Sequence, residues 1–207
     1  MKKIFILVVI VLIGSCNFNT QMEEARGMEK RRLYLIRHAK SSHKDVSLAD
    51  FDRPLNDRGK SDTKLIGAEL VKRGIVWDKL IISPSKRTKS TAKRLAKALR
   101  FERDSIRQDM ALYRCKTQAL IRTIQDLDPQ DKAVAIIGHN PSIIQAANHF
   151  QKDTIFTEIP TCGLVVIEFE SNGWKYLGNK SGNYLFFDYP KKYKAKKQKS
   201  QRSSVAN

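Results

Sequence analysis

The sequence predicts an α/β protein, a three-layer α/β/α sandwich around a mostly parallel central sheet. Three apolar runs carry that expectation: Leu33-Tyr34-Leu35-Ile36, Leu80-Ile81-Ile82 and Ala133-Val134-Ala135-Ile136-Ile137. Each stops abruptly at polar residues, Arg37-His38, Ser83-Pro84 and Gly138-His139, as buried strands do. Between the runs, apolar residues recur at helical spacing. Strands alternating with helices bury both faces of a parallel sheet.

Taken in chain order, the N-terminus comes first. Met1-Lys2-Lys3 precedes ten apolar residues, Ile4 to Ile13, then Gly14-Ser15-Cys16. A span of the bilayer needs roughly 20 apolar residues, so this run is too short to cross one. A charged start, a short apolar stretch and small residues at its end read as a signal peptide over 1–16. Ile13-Gly14-Ser15-Cys16 resembles a bacterial lipobox, which implies a lipid on Cys16, cleavage before it and a membrane-anchored lipoprotein. Translation from Met28 would remove the signal and leave a cytoplasmic protein. Residues 17–31 read as a polar tether.

The domain is expected over 32–190. Asp57 to Lys72 carries Leu65, Ala68 and Leu70 among polar residues. Lys86 to Leu99 carries Ala92, Leu95, Ala96 and Leu99, and Thr117 to Leu127 carries Leu120, Ile121 and Ile124. All three predict helices with one apolar face. Leu164 to Phe169 and Trp174 to Leu177, split by Ser171-Asn172-Gly173, predict a closing hairpin. From Lys191 to Asn207 the chain is lysine-rich and reads as a basic disordered tail.

Composition narrows the function. Hydrophobic residues make up 41% of the chain and charged residues 29%, which excludes general disorder and collagen-like or mucin-like sequence. Three cysteines without C-x-x-C spacing exclude a disulfide scaffold and a cysteine-rich zinc site. The net charge is +18, with seven positive charges and no negative ones in 191–207. Residues 28–190 still carry 29 positive charges against 19 negative, which suits an anionic ligand. A contact of the tail with acidic lipid or nucleic acid is the lesser reading of that charge, and no nucleic-acid partner is expected.

In open α/β sheets, ligands bind beyond the carboxyl ends of the strands. Arg37-His38, Ser83-Pro84-Ser85-Lys86-Arg87 and His139-Asn140 all stand at such ends, so two histidines and two arginines converge on one crevice. Arg87 falls in the first turn of its helix, where free N–H groups and the helix dipole favour an anion. The sequence has no Gly-rich phosphate loop and no metal-ligand cluster, so no cofactor and no metal are expected.

These blocks resemble the histidine phosphatase, or phosphoglycerate-mutase-like, superfamily. Leu35-Ile36-Arg37-His38-Ala39 is similar to its R-H-G signature with alanine for glycine. Arg53-Pro54-Leu55 with Gly59 resembles R-P-L-x-x-x-G, Ser83-Pro84-Ser85-Lys86-Arg87 the S-P-x-x-R block, and Gly138-His139 the second-histidine block. Arg-His-Ala-Lys-Ser with Asp-Arg-Pro-Leu, in a short chain, is most similar to the phosphohistidine phosphatase branch. The resemblance implies a metal-independent phosphatase in which His38 attacks phosphorus and carries the phosphoryl group. Arg37, Arg87 and His139 would bind and stabilise that group, with Arg53 at the rim and Asn140 capping the following helix. The other ring nitrogen of His38 should donate to a fixed acceptor such as a backbone carbonyl.

Ala111-Leu112-Tyr113 stands where this branch often has Glu-Leu-Tyr, so an expected proton-donating carboxylate is missing; Asp109 is out of register and reads as a surface residue. His43 and His149 read as loop and helix-surface residues, and Cys115 and Cys162 as inert thiols. The substrate implied is a phosphorylated protein, phosphohistidine above all, or a small phosphorylated molecule. The alternatives are a phosphomonoesterase or mutase for small molecules, and a basic anion-binding module without catalysis.

Overall fold

A computed structural model describes residues 27–153 and 155–195. The expected signal peptide with Cys16, the first part of the tether and residues 196–207 lie outside the described residues. The described chain runs through β1 (Glu29–Arg37), α1 (Asp57–Lys72), β2 (Lys79–Ile82), α2 (Lys86–Leu99), β3 (Ile106–Gln108), α3 (Thr117–Gln125), β4 (Ala133–Gly138), α4 (Ser142–Phe150), β5 (Leu164–Ser171) and β6 (Asn183–Asp188). One sheet takes all six strands in the order β3-β2-β4-β1-β5-β6. The pairs β1–β4, β2–β4 and β2–β3 are parallel, and β5 runs antiparallel to both β1 and β6.

Alternation along each strand divides the core into two layers. Leu33, Leu35, Ile81, Val134, Ile136, Val165 and Ile167 pack with Leu120, Ile121 and Ile124 of α3 and with Ile143, Ala146 and Phe150 of α4. Tyr34, Ile36, Leu80, Ile82, Ala135, Ile137 and Val166 pack with Ile66 and Leu70 of α1 and with Ala92, Leu95 and Ala96 of α2. Helices on both faces of a mostly parallel sheet make the three-layer sandwich that the sequence predicts. Leu33, Ile36, Ile136 and Ile137 are fully buried, and cutting any of them to alanine is expected to cost about 2–5 kcal/mol.

The folded unit is longer at both ends than the sequence suggests. β1 begins at Glu29, and Glu29, Lys30 and Arg31 already pair with Ser171, Glu170 and Phe169 of β5. Charged residues hid this start, because Arg31 is buried with its guanidinium donating to the carbonyls of Ser171, Pro129 and Asn172. At the other end residues 190–195 are helical. Tyr193 packs on the second core layer, Lys192 pairs with Asp188, and Lys194 pairs with Asp62. The tail therefore does not begin at Lys191.

The closing hairpin is also corrected. Its first strand is β5, but Trp174–Tyr176 forms a 3-10 turn rather than a strand. Trp174 is fully buried, and its indole N–H donates to the Asp131 carbonyl. The chain then crosses to Asn183–Asp188, which pairs with β5. β3, three residues on the sheet edge, carries too little pattern to be seen in the sequence. Among the described residues, no helix is long and apolar enough to cross a membrane.

Candidate active site

The parallel ladder aligns the strand ends. Arg37 sits opposite Gly138, and Ile82 opposite Ile137. His38 N–H extends the pairing by donating to the Gly138 carbonyl at 3.1 Å, and Ser83 N–H to the Ile137 carbonyl at 3.1 Å. Arg37, His38, Ser83 and His139 therefore emerge side by side at one edge.

Two helix starts close on this edge. At α1 the Asn56 side chain accepts from Gly59 N–H at 2.8 Å, and Asn56 N–H donates to the Lys40 carbonyl. Gly59 is needed here, since a Cβ on it would lie 2.2 Å from the Lys40 oxygen. At α2, Thr88 Oγ1 donates to the carbonyls of Ser83 and Ser85. Thr91 Oγ1 donates to the Arg87 carbonyl and accepts from Ala39 N–H. The turn that carries Arg87 is thereby tied to the loop that carries His38.

The His38 ring is fixed in one tautomer. Its Nδ1 donates to the Ala39 carbonyl at 2.8 Å, which leaves the Nε2 lone pair free to accept from Arg87 Nε at 3.3 Å. Burial, with His139, Arg87 and Arg37 as neighbours, lowers the His38 pKa from 6.5 to about 3. The backbone bond to Ala39 opposes that shift but does not offset it. Nε2 thus keeps its lone pair across the neutral range.

The His139 ring lies 5.1 Å from that of His38, between centroids. Arg87 Nη2 donates to His139 Nδ1 at 3.3 Å, so Nε2 carries the proton and donates to Ser83 Oγ at 2.8 Å. Burial and then Arg87 lower its pKa to about 4, with Asp50 opposing. His139 is therefore neutral without a ligand. A phosphoryl dianion beside it would offset the field of Arg87 and favour its protonation.

Arg37 donates from Nη1 to the Ile159 carbonyl at 2.8 Å, while its buried Nε has no hydrogen-bond partner among the described residues. A cavity of about 260 Å³ is lined by Arg37, His38, Arg87, Arg114, Cys115 and His139, with Asn140, Pro141 and Ser142. A smaller one, about 190 Å³, extends past His38 to His43, Asp50 and Arg53. Arg53 stands at this rim. Its donors reach the Ser42 carbonyl, Ser41 Oγ and Asp50 Oδ1, and its guanidinium also touches the His43 ring.

Sequence reasoning missed Asp50. Its Oδ2 accepts from Arg87 Nη2 at 2.9 Å and from the Tyr113 hydroxyl at 3.1 Å, and its Oδ1 from Arg53 Nη1 at 3.0 Å. Burial raises the Asp50 pKa, but bonds from Arg87, Tyr113 and Arg53 outweigh this and leave it below the ordinary value. A carboxylate therefore does face the site, held in its charged form. Arg114 is a second omission, an exposed cation on the wall of the same cavity as His38.

Other expectations change. Asn140 does not cap α4: its side-chain amide donates to the Ile159 carbonyl, and the residue before the helix is Pro141, which follows a cis peptide. Asp109 instead caps the turn at Met110–Leu112 by accepting from Ala111 N–H. Cys115 is half-buried on the cavity wall, whereas burial pushes the Cys162 thiol up. His149 stacks edge-on against Phe150 in the last turn of α4. A separate cleft of about 270 Å³ beside Trp174 lies at the amino ends of β1 and β4, away from both histidines.

Comparison with known proteins agrees with this geometry. A model of the histidine phosphatase superfamily, branch 1, matches residues 33–113, which include His38, Asp50, Arg53 and Arg87. Over these residues the chain is similar to the histidine phosphatase superfamily. As a histidine phosphatase fold it superposes on the protein histidine phosphatase SixA complexed with tungstate, with a TM-score of 0.68 at 16% identity. That match covers 78% of this chain and 99% of that one. A mycobacterial glucosyl-3-phosphoglycerate phosphatase superposes with a TM-score of 0.55 at 13% identity, covering 77% and 97%. In sequence, the mitochondrial serine/threonine-protein phosphatase Pgam5 of Drosophila yakuba is 30% identical over 89 residues, 43% of this chain and 30% of that protein. The match thus spans under a third of that curated relative. The two structural matches share the histidine phosphatase fold between a protein phosphatase and a sugar-phosphate one, so the fold alone does not select the substrate.

Proposed function

We propose that this chain is a metal-independent phosphatase that passes the phosphoryl group of its substrate through His38, with phosphohistidine in protein as the substrate it suits best. One observation carries the reading. His38 Nε2 keeps its lone pair because Nδ1 is committed to the Ala39 carbonyl, and it faces a cavity ringed by Arg37, Arg87, Arg114 and His139. Nε2 attacks phosphorus in line, the Nε2–P bond forms, and the bond to the leaving group breaks with its electron pair leaving on that group. Water then attacks phosphorus, the Nε2–P bond breaks, and inorganic phosphate departs with the lone pair restored to Nε2. The guanidiniums hold the phosphoryl oxygens by forked bonds and offset the charge that develops there.

The choice of phosphohistidine follows from proton supply. An alkoxide leaving group needs an acid, whereas imidazole protonated on its distal nitrogen leaves as a neutral base with a conjugate-acid pKa of roughly 6.5. Glutamate is absent at Ala111, and Asp50 is held ionised by Arg87, Tyr113 and Arg53. The test is kcat/KM for phosphohistidine, p-nitrophenyl phosphate and a simple sugar phosphate near neutral pH, with acid-labile phosphate trapped on His38. A clear preference for the sugar phosphate would favour the small-molecule phosphomonoesterase instead, and absence of turnover with tight anion binding would favour a binding module.

The lipobox-like Ile13-Gly14-Ser15-Cys16 supports a second proposal, that the protein is exported and anchored to a membrane through a lipid on Cys16.

A further inference from the structure

A second cleft, of about 510 Å³, opens on the other side of Arg37. It is about twice the volume of the cavity that holds His38, and Arg37 lines both. Lys40, Arg58 and Lys191 add three more cations to its wall, against the single carboxylate of Glu158.

The fold builds this wall deliberately. The close approach of Gly59 to Lys40 sets the first turn of α1, with Arg58, against the loop that follows His38. Lys192 on Asp188 and Lys194 on Asp62 fix the helical segment that starts at 190, and Lys191, next to the first of these anchors, lines the cleft. Arg58 lies 3.4 Å from the buried Asp62. Lys40 and Lys191 have no ion-pair or hydrogen-bond partner for their ammonium groups among the described residues. Phe187 and Tyr189, with ring centroids 5.0 Å apart, give the cleft an aromatic face beside the cations.

Free cations flanking a phosphate pocket select a ligand with more than one anionic group. The cavity that holds His38 takes the phosphoryl group itself, and the larger cleft with its aromatic face accommodates chain next to it. Resting on the phosphohistidine reading above, we propose that this cleft binds carboxylate side chains flanking the phosphohistidine of a polypeptide substrate. Opposite charge across such a contact speeds encounter and makes it sensitive to salt.

The experiment uses three phosphohistidine peptides with acidic, neutral and basic flanks, and free phosphohistidine as a flank-free control. The acidic peptide is expected to show a kcat/KM about tenfold above the neutral one, carried by KM, with the basic peptide lowest. Lys191→Glu should abolish that preference and leave turnover of free phosphohistidine unchanged. Lys40→Gln should weaken the preference as well. Equal kcat/KM for the three peptides, or a preference that survives both substitutions, would overturn the cleft assignment while leaving the phosphohistidine reading intact. No turnover of any phosphohistidine substrate, with p-nitrophenyl phosphate still hydrolysed, would overturn the functional reading and the cleft assignment with it.

Discussion

Asp50 Oδ2 lies 2.9 Å from Arg87 Nη2, and the Asp50 carbonyl takes the Nη1 end of the same guanidinium. The fork best placed to grip a phosphoryl group is thus occupied by the protein's own oxygens, while Arg87 Nε stays aimed at His38 Nε2. Asp50 acts in two opposed ways: it holds Arg87 in place, and it competes with the incoming anion.

Asp50→Asn separates these effects. Removing the competing charge should tighten inhibition by inorganic phosphate, while the looser aim of Arg87 should lower kcat by about tenfold. An inhibition constant and a kcat both equal to wild type would show that Asp50 has no part in the site.

His38→Ala should abolish turnover, because the other unprotonated ring nitrogen at the cavity, His139 Nδ1, is engaged by Arg87 Nη2. Arg37→Ala, Arg87→Ala and His139→Ala should each lower kcat/KM by on the order of 10²-fold, the usual effect of removing one preorganised donor. Wild-type turnover by His38→Ala would remove it as nucleophile. Chelators are expected to leave activity unchanged, which dialysis against one checks directly.

Much of this site is legible in the sequence because it stands at strand ends. Arg37, His38 and His139 follow apolar runs directly, and Arg87 follows a Ser-Pro turn into a helix. Asp50 is not legible: it is 37 positions from Arg87, and only the packing of α2 on the loop after β1 brings them together. The fold was obscured in the same way where partners are remote. Lys30 looks like tether, yet it pairs with Glu168 across the β1–β5 ladder, as Arg32 does. β6 exposes Tyr184 and Leu185 at the sheet edge, so it lacks the buried pattern that marks the inner strands.

The two site histidines also set a pH dependence of stability. Folding lowers His38 from 6.5 to about 3 and His139 to about 4. The unfolded chain therefore binds more protons as pH falls below 6.5, and stability must decrease with acidification through that window. Depressed carboxylates such as Asp188 act only lower, near and below their ordinary 3.8. Denaturant unfolding at pH 7 and pH 5 should show a loss that is smaller in His38→Gln. If His38 is the nucleophile proposed above, activity should persist well below pH 6, because its pKa is lowered to about 3. Equal losses in both proteins would contradict the buried, neutral state of His38.

The proposed lipid on Cys16 is tested by fractionation. Full-length protein made in a bacterial host should partition with membranes, and Cys16→Ser should release it or leave the signal uncleaved. A native N-terminus at Met28 in the cytosol would remove the proposal without touching the site, which begins at Arg37.

The basic segment after Pro190 yields the last prediction. Asp62 and Asp188 are both buried carboxylates, 0% and 1% exposed. Lys194 Nζ reaches Asp62 at 2.6 Å and Lys192 Nζ reaches Asp188 at 2.6 Å, alongside Arg58 and Arg73 from within the domain. Removing one partner from a buried charge costs more than the pair contributes, because the desolvated charge remains. Ending the chain at residue 190 would strip a cation from both carboxylates and the Tyr193 ring from the core beside it. It should lower stability by about 2–5 kcal/mol, whereas ending at residue 195 should leave it near that of the full chain. Thermal unfolding of the two truncated proteins distinguishes the outcomes. Asp62→Asn and Asp188→Asn should partly restore the shorter one, because neutral amides have less need of the missing lysines. Equal melting temperatures for the two lengths would return residues 191–195 to the tail.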